Sequence, residues 1–175
     1  INIIALFDHE EIGSCSKQGP ASIMLHDMLR RILRNMDLSE NEIDESIYDA
    51  MLLSVDVAHA LHPNKKEKMD ITNKPVMGKG FCIKQACSQS YATDAQAIAI
   101  LCQLCDENGI PYQRFVNRSD SRGGSTLGSI AGTLLPVKTV DIGIPILAMH
   151  SACALMGVRD MKALRDCVTA YFGYP

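Results

Sequence analysis

Short apolar runs alternate along this chain with longer stretches whose apolar residues recur at helical spacing. That alternation restricts the fold more than any other feature. Residues 3–7 (Ile-Ile-Ala-Leu-Phe), 52–58, 81–86, 112–116, 139–142 and 145–148 read as strands. Between them, Leu25, Met28, Leu29, Ile32, Leu33 and Met36 form one helical stripe over 21–36, with Arg30, Arg31 and Arg34 mostly on its wet side. Ser39-Glu40-Asn41-Glu42 is a capping-box pattern, and Ile43, Ile47 and Ala50 carry the helix it opens. Thr93-Asp94-Ala95-Gln96 repeats the pattern ahead of Ile98, Leu101, Cys102 and Cys105, and Asn108-Gly109 closes that helix. A glycine turn at 122–126 opens a helix over 126–135, residues 62–79 form a polar loop, and helical sequence runs to about 172. The expected fold is α/β: a layered mixed sheet flanked by helices.

At 175 residues the chain fits one domain. A net charge of -3 gives no reason to expect nucleic acid or an anionic membrane as partner. No apolar run approaches the roughly 20 residues that span a bilayer, and the first residues lack a signal-peptide pattern. The seven cysteines are an odd number, which argues against a secreted disulfide framework and for a reducing cytoplasm. Cys102-x-x-Cys105 matches a redox spacing but lies in an apolar helical pattern, where small buried hydrophobes are the ordinary reading. The chain begins without Met in a β-like run, as a portion of a longer protein would.

Metal-compatible groups gather at the ends of three strands. Glu10 and Glu11 follow the 3–7 run, Asp56 and His59 close the 52–58 run, and His150 follows the 145–148 run. Ligands of open α/β sheets bind outside the carboxyl ends of strands. Carboxylates and imidazoles converging there suit zinc, manganese or cobalt, with a spare carboxylate as general base. Each also has an ordinary reading: a solvated turn for Glu10-Glu11, a hydrogen-bonded core histidine for His150. Asp56, between Val55 and Val57, is costly to bury unpaired. Lys84 in its strand either points to solvent from an edge or faces inward and needs an anionic partner.

The stretches "DHEEIGS" at 8–14, "SVDVAHALHPN" at 54–64, "GFCIKQACSQSYATDA" at 80–95, "RSDSRGGSTLGSI" at 118–130 and "DIGIPILAMHS" at 141–151 resemble the aspartyl aminopeptidase family of zinc peptidases. The resemblance covers essentially the whole chain in the family's order. It implies a zinc-peptidase-like catalytic domain, present in part, in which two zinc ions activate a water that releases N-terminal Asp or Glu from peptides. By motif match, Glu10 is the general base and His59 the histidine near the reacting carbonyl. Glu11 and His150 bind one metal and Asp56 the other, while Lys84 and Tyr91 belong to the substrate pocket. The family context makes the glycine turn a loop lining the cleft. It also implies a cytoplasmic homo-oligomer, built by the family as a tetrahedral dodecamer.

The family's chain is much longer. Residues 1–175 correspond to the C-terminal portion of the catalytic domain, without the N-terminal portion and most of the dimerisation domain. The missing part supplies a metal-binding histidine and the aspartate shared by both metals, so this chain is expected to bind zinc weakly and to be inactive alone. Two other readings stay open. One is a non-catalytic structural or interaction fragment that keeps the fold. The other is a nucleotide-binding module at Gly123-Gly124, which lacks the Gly-Lys-Ser/Thr phosphate signature.

Overall fold

The computed structural model describes residues 1–121 and 123–173. Its strands are β1 (Met51–His59), β2 (Phe81–Gln85), β3 (Tyr112–Val116), β4 (Lys138–Leu147) and the short β5 (Leu155–Met156). They form one sheet in the order β1-β4-β2-β3, with β5 on β4. β1 runs parallel to β4 and β2 parallel to β3, whereas β2 and β4 are antiparallel, so the sheet is mixed as expected.

The two-residue period of β1 decides the layers. Leu53 and Val57 join Ile83, Val140, Ile142 and Ile144 on one face. Helices α3 (Ala95–Glu107) and α5 (Val158–Gly173) pack there. Burying Ile83, Val140, Ile142 and Ile144 contributes about 1.5–3 kcal/mol each, which makes this face the mechanical core. The other face is polar at its centre. Ser54 pairs in register with Asp141, and Asp141 with Lys84. The short α4 (Leu127–Ala131) packs against β1 and β4, and Tyr91 and Phe115 cluster with Ala58 and Cys82. A hairpin of α1 (Met24–Arg34) and α2 (Glu40–Asp49) buries Leu33, Ile43 and Ile47 around Leu135.

Several local expectations are realised. Ser39 accepts from the Glu42 N–H while Glu42 reaches back to the Ser39 N–H, closing the capping box. Cys105 is a core residue, its Sγ 3.9 Å from that of Cys167, and all seven cysteines are free. No helix among the described residues is long and apolar enough to cross a membrane.

Others require correction. Residues 3–7 form no strand: an apolar run becomes one only where a sheet edge supplies hydrogen bonds, and Ile4 and Leu6 are 72% and 90% exposed. The α3 cap is Asp94, which accepts from the Gln96 and Ala97 N–H groups, while Thr93 Oγ1 turns away to the Ala86 backbone. The runs 139–142 and 145–148 belong to one strand, β4, which ends at Leu147. The Ile146 carbonyl faces β1 and accepts from the Ala60 N–H. Pro145 therefore faces the other side, where pairing with β2 has already stopped at Gly143 and its missing N–H costs nothing. The helix expected over 126–135 shrinks to α4, and Arg122 of the preceding turn lies outside the described residues. Arg31 and Arg34 are exposed as expected, whereas Arg30 is half-buried by its pairing with Glu40 and Asp44 of α2.

Candidate active site

A cleft of about 490 Å³ opens on the polar face and collects all seven residues singled out above: Glu10, Glu11, Asp56, His59, Lys84, Tyr91 and His150. They arrive from four separate parts of the chain. Glu10 and Glu11 sit in a tight turn in which the Ser14 N–H donates to the His9 carbonyl (2.8 Å) and the Gly13 N–H to the Glu10 carbonyl (3.0 Å). Gly13 has φ +105°, a conformation other residues rarely adopt. His9 and Ser14, in the same turn, are also left-handed. Asp56 and His59 come from β1, and His150 from the turn after β4, again with positive φ. Because β1 and β4 are parallel, their carboxyl ends share one edge. The acidic turn reaches that edge without a strand beneath it.

Partial burial first, then the neighbouring Glu11 and Asp56 carboxylates, push the Glu10 carboxyl above its ordinary value. His150 Nδ1 lies 3.3 Å from Glu11 Oε2 at the exposed rim. Desolvation, followed by Lys84 and His150, holds the His59 ring below its ordinary value and hence neutral at pH 7. Its ring packs at 6.5 Å from Phe115.

Lys84 faces inward from a central strand and is only 3% exposed, which excludes the edge-strand reading. Its Nζ donates to Asp56 Oδ2 at 3.1 Å and to the Val57 carbonyl at 2.9 Å, and lies 4.6 Å from the centre of the Tyr91 ring. The Tyr91 hydroxyl accepts from Asn117 Nδ2 at 3.1 Å. Burial raises its phenol above the ordinary value.

One residue at the site escaped the reading of the sequence. Asp141 is fully buried: one carboxylate oxygen accepts from the Ala92 N–H, holding the segment that carries Tyr91, and the other has no partner among the described residues. An acid between Val140 and Ile142 is the same signal that exposed Asp56. The glycine turn lines the cleft as expected, through Gly124, Ser125 and Thr126, the last 1% exposed with an unpartnered Oγ1 among the described residues.

The donors match zinc in kind but not in number. Glu11 and His150 meet each other at the rim, and Asp56 stands apart on Lys84. No group of three His, Cys, Asp or Glu side chains able to hold a metal converges among the described residues, whereas a zinc site needs at least three protein ligands.

The family model described as "Aminopeptidase I zinc metalloprotease (M18)" matches residues 1–172. The chain belongs to the M18 family. It is 46% identical over 169 residues to the probable M18 family aminopeptidase 2 of Clostridium novyi, covering 94% of this chain and 39% of that protein. A probable aspartyl aminopeptidase of Ricinus communis is 37% identical over 172 residues, covering 98% and 35%. The structure of the S. cerevisiae mApe1 dodecamer superposes with a TM-score of 0.81 at 26% identity, covering 97% of this chain and 37% of that one. The chain thus spans well under half the length of these M18 relatives.

Proposed function

We propose that the chain is the C-terminal portion of the catalytic domain of a metal-dependent aminopeptidase that removes N-terminal acidic residues from peptides. The observation that carries this reading is the convergence of Glu10, Glu11, Asp56, His59, Lys84, Tyr91 and His150 on one cleft. The acidic preference is supported by the aspartyl aminopeptidase name of the Ricinus communis relative and by the buried Lys84 ammonium.

Glu10 is the general base, taking a proton from the attacking water and returning it to the leaving amine. Its raised pKa strengthens it for that task. Glu11 with His150 would hold one zinc ion and Asp56 a second, manganese or cobalt being compatible; when bound, such ions polarise the scissile carbonyl and acidify water. The neutral His59 lines the cleft as a hydrogen-bond partner for the reacting carbonyl. Lys84 has committed two of its three N–H donors inside the chain, and the third is available to a substrate carboxylate beside Tyr91.

The whole enzyme is read as a cytoplasmic homo-oligomer, supported by seven free cysteines and by the dodecameric relative. The 175-residue chain by itself should be inactive, because its donors complete neither metal shell. That incomplete set favours, for the isolated chain only, the second reading of a fragment that keeps the fold without the activity. Glu10→Gln in the complete enzyme tests the assignment. Turnover of an Asp anilide should fall at least about 100-fold with metal content retained. Wild-type turnover in that variant would refute it, as would robust turnover by the isolated chain supplied with zinc or manganese.

A further inference from the structure

A second cavity, of about 520 Å³, adjoins the cleft and shares His59, Tyr91, Phe115 and Gly124 with it. Polarity inverts across that common wall. The cleft presents Glu10, Glu11 and Asp56, whereas the second cavity presents His62, Lys65, Lys68 and Arg118 and no aspartate or glutamate among the described residues. In a chain of net charge -3 this is a local excess of the opposite sign.

These groups are set to face a ligand. Lys68 makes no ion pair or side-chain hydrogen bond among the described residues, and Lys65 Nζ has only Glu67 at 3.9 Å. Arg118 is held in place by Asp120 (Nε to Oδ1, 2.7 Å) and by the Glu67 carbonyl, which leaves Nη2 uncommitted. His62 Nδ1 accepts from the Asn64 N–H at 3.1 Å, so in the neutral ring the proton sits on Nε2 as a donor. Lys84, by contrast, spends two bonds on its own chain.

We propose that this cavity receives the peptide downstream of the scissile bond and selects acidic side chains there. The proposal rests on the aminopeptidase reading: with the N-terminal residue at Glu10 and Lys84, the rest of the peptide leaves past His59 and Tyr91 into the second cavity. Carboxylates there meet two or three exposed cations, each worth a factor of up to about five.

The test compares Asp-Ala-Glu-Glu with Asp-Ala-Gln-Gln as substrates of the complete enzyme. The acidic peptide should have the higher kcat/KM, by about tenfold at low salt, and the ratio should shrink as salt is raised. Lys65→Gln with Lys68→Gln should bring it near one, and Lys68→Glu should shift preference toward Asp-Ala-Lys-Lys. Equal kcat/KM for the two peptides in the wild type, or an unchanged ratio in the double variant, overturns the proposal. N-acetyl-Ala-Glu-Glu-Glu, which has no free N-terminus, separates the two readings by titration calorimetry. Binding tighter than that of its glutamine counterpart, without hydrolysis of any peptide, would refute the aminopeptidase reading and leave the cavity's selectivity standing. Equal binding of both would remove that selectivity whether or not the enzyme cleaves.

Discussion

Lys84 Nζ stands 3.1 Å from Asp56 Oδ2, so the residue proposed to read the substrate and one proposed to hold a metal are each other's partner. The pair spans three strands, from β2 across β4 to β1. Burying a lysine unpaired at the centre of a sheet is costly, and such a partner offsets that cost. The ion pair therefore explains why each residue is tolerated where the pattern of neighbours is apolar.

Lys84→Met in the complete enzyme should lower the preference for acidic over neutral N-terminal residues. It should also destabilise the fold by about 1.5–3 kcal/mol, because Asp56 and the Val57 carbonyl both lose a charged donor. Kinetics with Asp and Ala anilides and urea midpoints read the two effects separately. An unchanged Asp/Ala ratio would remove Lys84 from selectivity.

Gly143→Ala should disturb the same pair from the other side. A Cβ at Gly143 would lie 2.7 Å from the Val57 carbonyl carbon and 2.9 Å from the Asp56 carbonyl oxygen. Both are backbone atoms of β1, which cannot swing aside as a side chain would. A loss of about 1–3 kcal/mol is expected by thermal denaturation, and wild-type stability would show that β1 and β4 separate freely.

Asp160 is fully buried at the start of α5 and accepts from the Gly78 N–H (2.6 Å) and the Gly80 N–H (2.8 Å), tying the loop before β2 to that helix. Asp160→Ala leaves two backbone donors unpaired and should cost about 2–3 kcal/mol. Amide exchange should rise first at Gly78 and Gly80. Protection retained there would show that another acceptor takes over.

Acid should act on the α1–α2 hairpin through Glu40. Hydrogen bonds from Arg34 and then Arg30 lower its carboxyl from 4.5 to about 2. A depressed carboxyl contributes stability that is present above its ordinary pKa and lost as pH falls through the folded value. The contribution should therefore fade between about pH 4.5 and pH 2, and high salt should weaken it. Carbon-detected NMR of Glu40 measures the midpoint directly; a value near 4.5 would show the ion pairs to be open in solution.

Where residues act through their immediate neighbours, the sequence was legible. The Ser39 capping box, the whole of β3 and the runs that became β1 and β2 needed only local rules. Where a partner from far along the chain decides, the reading failed or stayed open. Residues 3–7 lack the edge that would make them a strand, and Lys84 could not be assigned a direction until β4 and β3 were found on either side of its strand. Asp141 went unnoticed although it carries the same signal as Asp56, because its contact is the backbone of Ala92 rather than another motif residue.

The alternation of β1 has a further consequence. Asp56 and Ala58 line the cleft while the Leu53 and Val57 side chains pack on the core, so core and site are interleaved along the strand. Losing or gaining a single residue in this strand would turn Asp56 into the oil and bring a valine to the water. Substitutions can tune the two faces independently, but length changes cannot. In descendants of this chain, the interval between Ser54 and His59 should be far less free to vary than the residues that fill it.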